Sequence, residues 1–255
     1  MGLNKPFKRI WRPLKGYDSM NEIWSDDTIS PSLNYLKDDK FAPQLEVRSL
    51  LTSANLLITD LYSLFNYVEP NDSNLKVYSH RLYELFLRIA TEFESNCKSI
   101  LAANNYNTEK CTIKDYFKLE KACRLSEYTV VFERWDSKHV FIPFNSWKST
   151  SLFTPLNWYQ DYNKVKHNRY QYFDKANLEN VMNAISALLC VLHSQVGGEM
   201  DIVGYNRMSI LQTSESKVEN DTFTIITPSF PEPEHYDFIW DNIKNESDPV
   251  TIYPF

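Results

Sequence analysis

Glycine is scarce in this chain, with five residues in 255. Rossmann and P-loop enzymes need glycine where the backbone approaches a phosphate, so the scarcity argues against both classes. Close histidine pairs are lacking as well. His80, His139, His167, His193 and His235 stand far apart, and none forms H-x-x-x-H or H-E-x-x-H. The spacing therefore asks for no metal, and no cofactor is expected. The four cysteines, Cys97, Cys111, Cys123 and Cys190, contain no C-x-x-C pair, and there is no G-x-S-x-G elbow for a serine nucleophile. Long apolar runs are missing too. The longest, Ala184 to Leu192, is interrupted by Ser186 and is too short to span a bilayer, and the first sixteen residues hold no signal-type apolar core. The start MGLNKP also misses the myristoylation pattern. These absences lead to the expectation of a cytoplasmic protein with reduced thiols and no membrane partner.

What the chain does have is apolar and aromatic mass. It is 43% hydrophobic and 15% aromatic, enough for a real core rather than global disorder. Charge is unevenly placed within a net −6. Residues 1–15 carry Lys5, Lys8, Arg9, Arg12 and Lys15 with no acid, whereas residues 199–255 carry eleven acids against Arg207, Lys217 and Lys244. Such a basic head and acidic tail could pair within the molecule or across a dimer, but the expectation is ordinary solvated surface and a solvated arm.

Periodicity sets the expected fold. Residues 1–45, broken by prolines at 6, 13, 31 and 43, read as an extended arm with one or two helical turns pinned by aromatics. From Pro43 to Phe65, Val47, Leu50, Leu51, Ala54, Leu57, Ile58 and Leu61 recur at helical spacing. A second helix is predicted over 76–103, with Leu82, Leu85, Phe86, Ile89, Phe93, Cys97 and Ile100 on one face. A shorter helix over 112–125 has Thr112 as its N-cap. Alternation then predicts a β-hairpin at about 127–144. A short helix over 157–168 precedes a long one, capped by Asp174 and carrying Leu178, Val181, Met182, Ile185, Leu188, Leu189 and Leu192 until Gly197-Gly198. TFTIIT at 222–227 reads as a strand in an otherwise irregular tail. The expectation is a mainly α protein: an antiparallel helical bundle over 46–198 with an inserted hairpin, and a partly β segment, 199–255, wrapping the same globule. An α+β domain, in which the hairpin and 222–227 form a true sheet, is the alternative.

One stretch offers chemistry. KVKHNR at 164–169 places Lys164, Lys166, His167 and Arg169 among Trp158, Tyr159, Tyr162, Tyr170 and Tyr172. Neighbouring cations favour a neutral imidazole. A neutral His167 could take the 2′-hydroxyl proton of RNA while Arg169 stabilises the charged transition state, with no metal involved. The tyrosines could stack on unpaired bases. The plainer reading makes the cations a solvated turn and the tyrosines part of the bundle rim. His80-Arg81 is a further candidate contact, and His193 is read as structural, a partly protonated imidazole in the last turn of its helix.

The segments 81–101, 143–147 and 157–189 resemble a group of bacterial proteins close to the HEPN superfamily, over roughly 75–195 of the chain. That resemblance implies a four- or five-helix bundle, a tendency to homodimerise, and RNA as partner. It also implies metal-independent ribonuclease activity in phage defence or toxin–antitoxin systems, or a non-catalytic relative. The family's catalytic signature is Arg, four to six residues, then His. Here the order at Lys166-His167-Asn168-Arg169 is inverted, and the literal match is Arg134 to His139, within the predicted hairpin. The resulting expectation is an RNA-binding protein using Lys164, Lys166 and Tyr170, with His167 and Arg169 as the catalytic candidates and Arg134 and His139 as the lesser pair. The alternative is a non-catalytic, dimerising scaffold.

Overall fold

The computed structural model describes residues 2–15, 31–136, 138–148, 152–197, 209–212, 216–219 and 223–255. The fold is mainly α, as the periodicity requires. Three long helices make its centre: α1 (Gln44–Leu64), α2 (His80–Ala103) and, skipping shorter elements, α7 (Leu178–Val196). Between them lie α3 (Ile113–Tyr116), α4 (Leu119–Cys123), α5 (Asn157–His167) and α6 (Arg169–Tyr172), and α8 (Trp240–Ile243) follows near the end. Among the described residues no helix is long and apolar enough to cross a membrane.

α7 packs along α2 and also touches α1 and α5. Its residues are buried on all sides except Glu179 and Asn183, so it is the axis of the fold rather than a one-faced helix. Polar groups on it are satisfied internally, as burial demands. Ser186 Oγ donates to Met182 O (2.7 Å), and Gln195 Nε2 donates to Asn96 Oδ1 on α2 (2.8 Å). His193 is buried against the edge of Trp11, with its Nδ1 2.9 Å from the Tyr128 hydroxyl. Burial pushes its pKa down to about 3, so the expected partly protonated imidazole is corrected: the ring is neutral at physiological pH.

Local chemistry fixes the helix ends. Ser79 accepts from Leu82 N to cap α2, and Thr112 with Asp115 forms a capping box on α3. The cap of α7 is Asn177, not the expected Asp174. Asn177 accepts from Asn180 N (3.0 Å), because Phe173–Lys175 form a 3-10 turn that takes up Asp174 before the helix begins. Gly197 closes α7 at φ +58°. Gly198 and the arm residues 16–30 lie outside the described residues.

The hairpin forms as strands β1 (Thr129–Phe132) and β2 (Val140–Phe141). It joins β3 (Ser209–Gln212), β4 (Ser216–Glu219) and β5 (Phe223–Ile226) in one antiparallel sheet of order β2-β1-β5-β4-β3. Val130 faces Phe141 on one side and Ile225 on the other. Val130 and Phe132 point inward, where Phe132 meets Phe141 and Phe223. The tail is partly β, as expected, and the hairpin and β5 form an antiparallel sheet beside the bundle.

The basic head and acidic tail pair within the molecule. Bridges join Leu3 and Leu14 to Tyr236, and Phe7 to Thr251. Lys5 pairs with Glu246 (2.6 Å) and Arg12 with Glu234 (2.8 Å). Arg12 is buried between the rings of Phe7 and Phe230 and also donates to Ala122 O (3.2 Å). Arg9, likewise buried, reaches Glu46 on α1 (2.9 Å) and Gln195 on α7 (3.2 Å). These arginines lock the arm onto the body, so the expected solvated arm is corrected for Arg9 and Arg12.

Candidate nucleic-acid interface

α5 presents two faces. Trp158, Tyr159, Tyr162 and Val165 turn inward, with Trp158 Nε1 donating to Pro143 O (3.0 Å) and the Tyr159 hydroxyl to Glu94 (2.8 Å). Burial and then Glu94 drive the Tyr159 pKa upward, so this hydroxyl stays protonated. These three aromatic rings are bundle packing, and a base has no access to their faces.

The opposite face ends in an elbow. Asn168 leaves helical geometry at φ −146°, ψ 73°, and its side chain accepts from Gln171 N (3.3 Å) to start α6. The break throws Lys164, Lys166, His167, Arg169 and Tyr170 into solvent together. Tyr170 is 99% exposed. Lys164 is tied to Asp161 (2.8 Å), and that hydrogen bond raises its pKa. Lys166 donates to the Tyr162 hydroxyl (3.1 Å) and lies over its ring, a contact that also raises its pKa. Both ammonium groups therefore stay charged at neutral pH. Arg169 stacks over Tyr83 of α2, its guanidinium carbon 5.3 Å from the ring centre. Among the described residues neither Lys166 nor Arg169 has a carboxylate partner, and the His167 imidazole makes no hydrogen bond.

Phe173, just past α6, fixes what stands beside the elbow. Its ring meets Tyr78 (5.5 Å), His80 (4.7 Å) and Tyr83 (6.2 Å) at the start of α2. The elbow thereby gains His80 as a neighbour, one of the two residues singled out as a further contact, whereas Arg81 pairs with Glu84 on its own helix (3.0 Å). Tyr83 and Phe173 were not singled out. Their signal was aromatic spacing that doubles as helix packing, which hid a surface role.

Arg134 and His139 belong elsewhere. They flank the β1–β2 turn, of which Ser137 lies outside the described residues. Pairing of β1 on both sides keeps this segment extended, so it supplies no helix to a dimer cleft. Arg134 lies over Tyr62 of α1. His139 Nδ1 is 3.0 Å from Asp72 Oδ1, the oxygen that also accepts from Trp135 Nε1 (2.9 Å). Each side chain is held by a different packing partner.

The elbow's chemistry favours binding over catalysis. Its cations and ring are offered to solvent, and no wall excludes water from His167 and Arg169, so the low-dielectric setting that strengthens transition-state stabilisation is missing. On the other side of α5 lies a polar cleft of about 610 Å³, with Lys164 at its border and Asp161, Asn180 and Asn183 in its wall. The sequence showed this cleft only as polar interruptions in the first turns of α7.

No protein-family model, curated protein or solved structure matches this chain.

Proposed function

We propose that the protein binds RNA through the α5–α6 elbow. The observation that carries this reading is the exposure of Lys166, His167, Arg169 and Tyr170 on one turn, without ion-pair partners among the described residues. Unpaired cations draw a phosphate backbone without first breaking internal salt bridges. A fully exposed tyrosine beside them gives an unpaired base a ring to stack on, and His80 extends the surface at the start of α2. Four unbridged cysteines, three of them buried, fit a reducing cytoplasmic setting. Cleavage is the extension this surface allows. His167 would remove the 2′-hydroxyl proton, the oxygen would attack phosphorus, and the phosphorus–O5′ bond would break with the leaving oxygen taking a proton from water, giving a 2′,3′-cyclic phosphate and a 5′-hydroxyl end. Exposure of the pair makes binding the primary activity.

The test is fluorescence anisotropy with a labelled, unstructured RNA against wild type and a Lys166→Ala, Arg169→Ala, Tyr170→Ala variant. Binding should weaken steeply with salt, and the variant should lower the logarithmic salt slope by about 1.4, two phosphate contacts at about 0.7 each. Absent binding, or equal binding by the variant, overturns the proposal and leaves the scaffold reading.

A further inference from the structure

We propose that the cleft between α5, the start of α7 and the β2–α5 connection binds a small ligand carrying a phosphate and a vicinal diol. The proposal stands apart from RNA binding at the elbow and shares only Lys164 with it. The cleft has the size of ordinary small-molecule sites, at about 610 Å³. Three ammonium groups converge on it, from Lys76, Lys164 and Lys175, against two carboxylates in its wall, Asp161 and Glu179. The surplus is cationic.

The carboxylates are held in place. Asp161 receives Lys164 on Oδ1 (2.8 Å) and Asn180 Nδ2 on Oδ2 (3.2 Å). Asn180 is itself buried and fixed by a second bond from Nδ2 to Lys175 O (2.8 Å). Glu179 is paired with Lys76. A carboxylate pinned from two sides is a preorganised acceptor for adjacent hydroxyls, which bind as donors to oxygen and as acceptors from the neighbouring ammonium. Asn183 donates through Nδ2 to Glu179 O (2.9 Å), which leaves its Oδ1 as a further acceptor. The Gln160 side chain, also lining the cleft, makes no bond among the described residues and offers both donor and acceptor.

The anion subsite is Lys175. Its ion pair with Asp174 is long (3.5 Å), Asp174 lies outside the cleft lining, and the lysine side chain is 40% exposed. Lys175 is therefore the ammonium most easily turned toward a ligand phosphate. No apolar or aromatic platform dominates the lining, so a hydrophobic ligand has little to gain there. Sugar phosphates and nucleotides both carry the required pair of groups.

Isothermal titration calorimetry on the full chain tests this with ribose 5-phosphate, ribose, inorganic phosphate and AMP. Ribose 5-phosphate should bind about tenfold or more tightly than ribose or phosphate alone. Lys175→Ala and Asn183→Leu should each weaken it by about tenfold with unchanged thermal melting. Tighter binding of AMP than of ribose 5-phosphate would assign the ligand to nucleotides, and equal binding would assign it to sugar phosphates. Either result keeps the phosphate–diol chemistry. Absent heat with both, affinity no better than phosphate alone, or binding untouched by both substitutions would overturn it. The elbow variant Arg169→Ala, Tyr170→Ala separates the two proposals, because it should leave ribose 5-phosphate binding intact while weakening RNA binding.

Discussion

His193 should make the protein acid-sensitive by an amount that can be worked out. In the fold its imidazole is buried between Trp11 and Tyr128 and titrates at about 3, against an ordinary value of 6.5. The unfolded chain therefore binds a proton between these values and the folded chain does not. Stability from this group is complete above pH 6.5 and is lost as pH falls toward 3. The loss is about 1.4 kcal/mol per pH unit, or about 2 kcal/mol at pH 5. His193→Phe keeps an aromatic ring against Trp11 and removes the titration. It leaves the Tyr128 hydroxyl without its partner, a penalty of about 1–3 kcal/mol that does not vary with pH in this range. Urea unfolding followed by tryptophan fluorescence should show wild type ahead at pH 7.5, with its lead reduced by about 2 kcal/mol at pH 5. Parallel stability curves for the two proteins across that range would refute a neutral buried imidazole.

Other substitutions probe separate links. Arg12→Ala removes a buried guanidinium from Glu234, Ala122 O and two aromatic rings, and should cost about 3–5 kcal/mol in urea unfolding. Gly197→Ala should cost more than about 1 kcal/mol, because φ is +58° and the new methyl would overlap the Trp11 indole. Its thermal midpoint should fall accordingly. If the elbow also cleaves RNA, products should appear in EDTA, carry cyclic phosphate ends, and vanish with His167→Ala, whereas His139→Ala should change nothing.

The helices α1 and α2 were legible because each buries a stripe, and a stripe repeats within a few residues. The spacing of Val47 to Leu61 and of Leu82 to Ile100 needs no distant partner to be read. The hairpin was legible for the same reason, since Val130 and Phe132 alternate with outward residues. What stayed hidden depends on contacts far along the chain. Arg9 and Arg12 looked like a solvated basic head, yet Arg12 pairs with Glu234, 222 residues away. β3 and β4 carry no clear alternation; β4 is a strand through its pairing with β5, and β3 through its pairing with β4. At the elbow, the charged residues of KVKHNR all reach solvent, but the aromatic rings divided. Trp158, Tyr159 and Tyr162 went to the core because α5 turns that face to α2 and α7, which left Tyr170 for solvent. The cleft was invisible because its wall is built by faces of α5 and α7 and by loop residues at once.

The central claim is that the elbow is where RNA sits. Ultraviolet crosslinking of an unstructured RNA containing 4-thiouridine, followed by peptide mass mapping, reads the contact directly. Adducts concentrated within residues 164–173, with Tyr170 foremost, are the predicted result. Adducts confined to other segments, or none at protein concentrations that saturate the RNA in anisotropy, would contradict it.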